Sequence, residues 1–195
     1  MKSFSMLALG MMAVAMVSCS SNSDNNSSSP FDGNYTLSGS AFGTTIVNDV
    51  PVPVINEPLS NIAATVSTSS NNDMLVKAQV TIMKIPVTLS ITVTNVSVVN
   101  PFDGTPYGFS DNCAMATGTI TPQTISSPAL SLALMAFGVT DPLTLQGDIA
   151  DGAPAATFIN DNGTKYMELN LITPTGSTLG LEIYLGNFPD DGSEE

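Results

Sequence analysis

Polar and apolar residues alternate along most of the chain after Phe31, the pattern of strands with one buried and one exposed face. From Met74 to Ile82 every second residue is apolar, and from Ile85 to Val93 the alternation returns with the opposite parity. A shift of one residue indicates either a two-residue turn at Met83-Lys84 or a bulge in one long strand. Because neither turn residue is Gly or Asn, and Pro86 follows at once, we favour the bulge.

The second half of the chain carries the same alternation, interrupted by turn signals. Asp161-Asn162-Gly163 predicts a hairpin between strands at Thr157 to Asn160 and Thr164 to Ile172. Thr173 to Ser177 predicts a second hairpin before the strand at Leu179 to Leu185. These signals place several short antiparallel strands close together in sequence.

Only the segment from Pro128 to Gly138 has a helical alternative, because it is rich in Ala, Leu and Met. Its apolar residues alternate with polar or small ones, and Pro and Gly bracket it, so we favour a strand. Many strands without a convincing helix predict an all-β fold, either an antiparallel lipocalin-like barrel or a two-sheet β-sandwich. The scarcity of charged residues, which normally guard open sheet edges, favours the closed barrel.

The first 18 residues have the features of a signal peptide. Lys2 precedes the twelve apolar or small residues of Met6 to Val17. As a helix, that stretch would rise only about 18 Å, too little for a hydrocarbon core of about 30 Å. The tetrapeptide Met16-Val17-Ser18-Cys19 resembles the lipobox of bacterial lipoproteins, in which the Cys is acylated and becomes the mature N-terminus. An ordinary signal peptide followed by a chance Cys is the alternative.

The residues after Cys19 are typical of a flexible tether. The eleven residues from Ser20 to Pro30 are Ser, Asn, one Asp and one Pro, which cannot bury apolar surface. We therefore predict a signal peptide at 1–18, a lipidated Cys19 with its tether at 19–30, a barrel domain at 31–189 and an acidic tail at 190–195. Acylation of Cys19 would leave Cys113 without a partner, and we interpret Cys113 as an inert buried residue.

Charge and composition exclude several functions. The chain has 17 acidic and 4 basic residues, no His and no Trp, and a net charge of −13. Without His there is no Ser-His-Asp triad, no Cys-His pair and no His-ligated zinc. Without clustered Lys or Arg, binding to nucleic acid or to an anionic membrane surface is not expected. No cofactor motif is present, so we expect neither a cofactor nor a catalytic centre.

Three kinds of site remain formally possible. Paired carboxylates for glycoside hydrolysis could come from Glu57, Glu168 and Glu182, although we expect Glu168 and Glu182 to face solvent. Calcium could be bound by oxygen ligands, but the spacing fits no EF-hand loop and the Asp-Gly pairs are typical of turns; these ligands would be Asp148, Asp151, Asp161 and Asn162. A sugar could stack on tyrosines beside turns, namely Tyr35, Tyr107 and Tyr166.

The order of these elements resembles a known group of proteins. The lipobox and tether are followed by an opening strand at Gly33 to Gly39, a long apolar ribbon from Met74 to Val99 and a closing strand at Leu179 to Leu185. In this the chain is similar to the calycin-like β-barrel lipoproteins of gut anaerobic Gram-negative bacteria. The resemblance implies a lipocalin-like antiparallel barrel in the cell envelope and carries no established activity. The Ala/Leu-rich segment at Pro128 to Gly138 departs from it and leaves the strand number open.

These observations lead to two functional hypotheses. The first is an outer-membrane lipoprotein, on either face of that membrane, whose non-enzymatic barrel binds a small apolar or amphipathic molecule in its interior, or a partner protein at its rim. The second is a fimbrial-type adhesin subunit with a β-sandwich fold that assembles by strand exchange. A carboxylate glycosidase would require Glu168 or Glu182 to be catalytic.

Overall fold

Ten strands, one short α-helix and one turn of 3₁₀ helix at Thr105–Tyr107 are the regular elements of the part of the chain that the structure, a computed structural model, describes, namely residues 29–149 and 153–189. The predicted signal peptide, the lipidated Cys19 with the tether as far as residue 28, and the acidic tail at 190–195 lie outside these residues. The elements in chain order are β1 Gly33–Val47, β2 Val50–Thr68, β3 Met74–Ile82, β4 Ile85–Phe102, β5 Cys113–Thr119, β6 Gln123–Thr124, α1 Pro128–Met135, β7 Thr144–Gly147, β8 Ala156–Asp161, β9 Thr164–Ile172 and β10 Leu179–Gly186.

The strands form a barrel-like ring. Hydrogen-bonded neighbours follow in the order β10, β1, β2, β3, β4, β5, β8 and β9, and β9 pairs again with β10. Every pairing is antiparallel, and the short β7 and β6 extend the wall beside the end of β9. The prediction of an all-β antiparallel barrel is confirmed, and the strands do not form the two facing sheets of a sandwich.

Alternate residues of each strand fill the interior of the ring. In β3 the buried positions are Met74, Val76, Ala78, Val80 and Ile82, as the alternation predicted. The intervening Lys77, Gln79 and Thr81 are exposed. Inward side chains from all the strands of the ring join one continuous apolar cluster, so the barrel has a single main core.

The bulge predicted at Met83-Lys84 is wrong, because the two residues are the turn of a hairpin. β3 and β4 are separate strands in register from Met74 opposite Val93 to Ile82 opposite Ile85. Both turn residues have positive φ, 54° and 63°, as in a type I′ turn, which matches the twist of the flanking strands. Neither is Gly, but Met83 packs against the core and its N–H donates to the Glu57 carboxylate at 2.9 Å. These contacts offset the backbone cost.

The first half of β2 has one unpaired edge among the described residues. From Val50 to Leu59 it pairs with β1, and its pairing with β3 begins only at Ala64. Three prolines lie on this half, at 51, 53 and 58, and each lacks the N–H that another strand would need. Proline therefore protects this edge where charged residues are scarce.

The strand predicted at Pro128 to Gly138 is also wrong, because the segment forms α1. Pro128 stands in the first turn of the helix, where its missing N–H costs nothing, and the chain turns away at Gly138 with φ of 81°. Leu130 and Leu134, one helical turn apart, are buried, whereas Leu132 is 71% exposed. The spacing of these leucines fits both the two-residue period of a strand and the 3.6-residue period of a helix, and the many helix-forming residues of the segment favour the helix.

A second, smaller core lies on the opposite face of β5 and β8. Met115 and Ile159 point away from the barrel interior and pack with Cys113 and Phe109. Aromatic rings complete this cluster, with Phe109 in edge contact with Phe188 at 5.5 Å between ring centroids. The loop after β4 and the chain after β10 thus cover part of the outer wall. No helix among the described residues is long and apolar enough to cross a membrane.

Candidate functional site

The two ends of the barrel differ, and the chain enters at one of them. The Asn160 side-chain amide donates to the Pro30 carbonyl at 2.6 Å, and the Thr68 hydroxyl donates to the Asp32 carboxylate at 2.7 Å. The Lys165 ammonium also donates to the Asp32 carbonyl. Three strands thereby hold Pro30, the last residue of the predicted tether, and Asp32, so the chain enters the barrel at a fixed point.

The same end is closed by aromatic side chains. Phe31 is buried and lies 6.4 Å from Phe158, centroid to centroid. The Tyr35 hydroxyl donates to the Phe31 carbonyl at 2.6 Å. Burial, and secondarily the negative charge of Asp32, raise the pKa of Tyr35 well above its usual range, so this hydroxyl remains a neutral donor.

The opposite end carries a surface pocket of about 290 Å³. It lies between α1 and the loop that leads from α1 to β7. Its floor is apolar, since Leu134, Val139 and Leu143 are all buried. The pocket is lined by Ser131, Leu134, Met135, Val139, Thr140, Asp141, Pro142 and Leu143.

Asp141 ties the pocket to the rim of the barrel. Its Oδ2 accepts the N–H of Thr178 at 3.2 Å, and the Thr178 carbonyl accepts the hydroxyl of Thr45 on β1 at 3.1 Å. A narrow extension of the pocket runs past Asp141 toward Leu179 at the start of β10. One carboxylate oxygen is thus held in place at the pocket wall.

Exposed apolar side chains lie at this same end. Ile46 and Val50 flank the β1–β2 turn and are 62% and 58% exposed, and Met135 on α1 is 58% exposed. β1 has 15 residues, so its length measured along the strand is about 46 Å at about 3.3 Å per residue. The pocket and these exposed apolar side chains therefore lie at the opposite end of the barrel from Pro30.

Side chains occupy the barrel interior, where the sequence led us to expect an apolar ligand. Phe158, Leu89 and Met167 point inward and are at most 1% exposed. Leu130 and Leu134 of α1 join the same core at the pocket end. Close packing of this kind fills the interior, and the pocket beside α1 lies at the surface, outside this core.

The three candidate glutamates are not brought together. Glu57 accepts the Met83 N–H at the edge of β2, and Glu182 is exposed on β10, as expected. Glu168 lies opposite Gly186, four residues along β10 from Glu182. Four residues correspond to about 13 Å of strand, whereas the two carboxyl groups of a glycosidase stand about 5 to 9.5 Å apart. This arrangement provides no carboxylate pair.

The expectation that Glu168 faces solvent is wrong, because Glu168 is only 5% exposed. Gly186 lies opposite Glu168 and has no side chain, and the Tyr184 hydroxyl occupies the space beside it. A Cβ added at Gly186 would lie 2.7 Å from that hydroxyl. Burial raises the pKa of Glu168, and the Asn170 side-chain amide, donating to its carboxylate at 3.0 Å, offsets part of that rise.

The calcium candidates are dispersed or engaged in turns. Asp161 and Asn162 belong to the β8–β9 hairpin, where Asn162 and Gly163 have φ of 51° and 94°. Asp161 accepts the Ser110 N–H at 3.4 Å, and the Asn162 amide donates to the Ser110 hydroxyl at 2.9 Å. Asp151 lies outside the described residues, and within them no group of three His, Cys, Asp or Glu side chains could hold a metal. The hairpin predicted here is confirmed.

Cys113 and the tyrosines take part in packing. Cys113 is buried, and burial together with the nearby negative charge of Asp161 raises the pKa of its thiol, so the reactive thiolate is disfavoured. Tyr107 stacks on Phe102 with 5.9 Å between centroids, and Tyr166 packs against Phe109 at 5.0 Å. These rings do not form a common flat platform for a sugar.

The comparisons give no independent indication of function. No protein-family model matches the chain, and neither a curated protein nor a solved structure matches it. Sequence reasoning did not single out the residues of the α1 pocket, because it treated α1 as a strand. A helical interpretation of Pro128 to Met135 would have placed a loop with Asp141 next to an exposed helix.

Proposed function

We propose that this protein is an outer-membrane lipoprotein that is anchored through an acylated Cys19 and binds a small apolar or amphipathic molecule without transforming it. Binding would take place in the pocket beside α1. The observation that carries this proposal is the separation of the two ends. The proposed tether ends at Pro30, and the pocket lies at the other end of β1, a strand about 46 Å long.

The anchor proposed here suits that geometry. A tether of eleven residues has a root-mean-square reach of about 18 Å, which is less than the length of the barrel. The pocket end would therefore be directed away from the bilayer for most of the time. Acyl chains add about 0.8 kcal/mol for each buried methylene, so several chains on one Cys would hold the protein permanently.

The pocket has the chemistry of a small-molecule site. Its floor of Leu134, Val139 and Leu143 is apolar, and a few polar groups stand at its wall, Asp141 among them. Its volume of about 290 Å³ is at the lower end of the usual range for ligand sites. The packed barrel behind it would serve as a rigid scaffold.

The anchor is tested by metabolic labelling of the full chain with palmitate. We expect the label in the wild type and in Cys113→Ser, which keeps the proposed acylation site. We expect none in Cys19→Ser. Loss of the label in Cys113→Ser, or absence of the label from the wild type, would contradict acylation of Cys19.

Binding is tested with the apolar dye Nile red added to the full chain carrying Cys19→Ser. We expect its fluorescence to rise and Ser131→Phe, which places a large ring in the pocket, to remove the increase. Leu132→Phe is the matched control, because Leu132 is on the same helix but is exposed and does not line the pocket. Equal signals from the two variants would locate binding elsewhere and reject the pocket.

A further inference from the structure

We infer that the ligand of the α1 pocket is an amphipathic cation, such as a single-chain alkylammonium, whose ammonium group binds Asp141. This inference rests on the proposed binding function and specifies its ligand class. Its basis is the combination of an apolar floor with one fixed carboxylate at the wall.

The apolar floor selects a single short chain. Leu134, Val139 and Leu143 line the pocket, but they are only 2%, 5% and 6% exposed, so the apolar floor that they offer to an alkyl chain is small. Met135 beside them is 58% exposed, and a flexible thioether side chain adapts easily to a bound chain. A pocket of about 290 Å³ is too small for a lipid with several long chains.

Asp141 provides the polar end of the site. Oδ2 of this exposed carboxylate accepts the Thr178 N–H at 3.2 Å, which favours an orientation with Oδ2 toward the backbone. Oδ1 has no hydrogen-bond partner in residues 29–149 or 153–189, so it is available to accept from a ligand. The hydroxyls of Ser131 and Thr140 also line the pocket and can accept further ammonium protons.

The charge of the pocket and of the whole chain favours a ligand with a positively charged head group. Among the described residues no lysine lines the pocket, and the chain as a whole carries a net charge of −13, so its field attracts cations and repels anions. An alkyl carboxylate would bring a second negative charge beside Asp141. An alkyl alcohol of the same length would gain the apolar contact but not the ion pair.

The test compares octylammonium, octanol and octanoate by isothermal titration calorimetry on the full chain carrying Cys19→Ser. We expect octylammonium to bind most tightly and octanoate least. Asp141→Asn should weaken octylammonium about fivefold, equivalent to about 1 kcal/mol, and leave octanol unchanged. Asn keeps an oxygen for the Thr178 N–H, and unaltered thermal unfolding verifies that the variant folds.

Asp111→Asn is the matched control, because it removes the same charge at the end of the barrel near the β8–β9 turn. It should leave all three affinities unchanged. If octylammonium and octanol bind equally and Asp141→Asn has no effect, the cationic ligand class is wrong while binding in the pocket stands. If none of the three amphiphiles binds, both this inference and the proposed function fail.

Discussion

Two leucines on α1 provide a sharp test of how the helix closes the barrel. Leu130 is completely buried, whereas Leu132, two residues later, is 71% exposed. Replacing Leu130 by Ala removes a buried isopropyl group and leaves a cavity beneath the helix. Such changes cost about 2.7 to 5 kcal/mol, and because α1 lies at the end of the barrel, where its neighbours can shift inward, we expect about 3 kcal/mol.

Leu132→Ala makes the same chemical change on the exposed face and should alter the free energy of unfolding by less than about 0.5 kcal/mol. For a domain of this size, about 3 kcal/mol corresponds to a fall of about 6 to 12 °C in Tm. Urea unfolding followed by circular dichroism measures both variants, with an unchanged m-value as the check on the denatured state. Equal losses would refute the account, because a strand would place both leucines on one face.

Three further predictions concern the barrel wall. Gly39→Ala should destabilise the protein by about 3 kcal/mol or more in urea unfolding, because its Cβ would lie 1.8 Å from the Tyr184 carbonyl oxygen. Gly180→Ala should lower the unfolding free energy far less, because its Cβ would be 3.3 Å from the nearest atom. Burial raises the pKa of Glu168 above its unfolded value, so the associated stability is present at acid pH and is lost as the pH rises through the folded pKa. Glu168→Gln should therefore stabilise the protein at neutral pH and flatten the pH dependence of its unfolding free energy. Glu182→Gln, at an exposed position, should do neither. In the Cys19→Ser chain, Cys113 should react with a thiol reagent only after unfolding, and rapid reaction of the folded protein would contradict its burial.

Local sequence signals predicted the strands and the simplest turns. The alternation in β3 and the first half of β4 identifies the inward residues because these two segments have one buried face. The Asn162-Gly163 turn has residues that readily adopt positive φ, so its hairpin could be predicted from a few residues.

Two of the wrong predictions share a physical cause, namely contacts between residues distant in sequence. The Met83-Lys84 turn is supported by Glu57, which is 26 residues away from Met83. Glu168 alternates with apolar residues like an exposed position, but a neighbouring strand with Gly186 and Tyr184 covers it. The sequence of α1 is ambiguous for another reason. Leu130, Leu132 and Leu134 have the two-residue spacing of a strand, but Leu130 and Leu134 are also one helical turn apart.

The pocket could not be found from sequence for the same reasons. Its lining comes from one face of α1 and from the loop after it, and neither is recognisable while α1 is interpreted as a strand. Asp141 is fixed by the Thr178 N–H, 37 residues away, which the local pattern does not indicate. The anchor, by contrast, is predicted from the sequence around Cys19 alone.

The most direct test of the central proposal is the orientation of the anchored barrel. In a Cys113→Ser background, a donor dye at Asn48→Cys marks the β1–β2 turn near the pocket, and one at Asn112→Cys marks the opposite end. Energy transfer to an acceptor in the bilayer is then measured for each acylated protein. We predict clearly weaker transfer from position 48 than from position 112; equal or reversed efficiencies would contradict a barrel that holds its pocket away from the membrane.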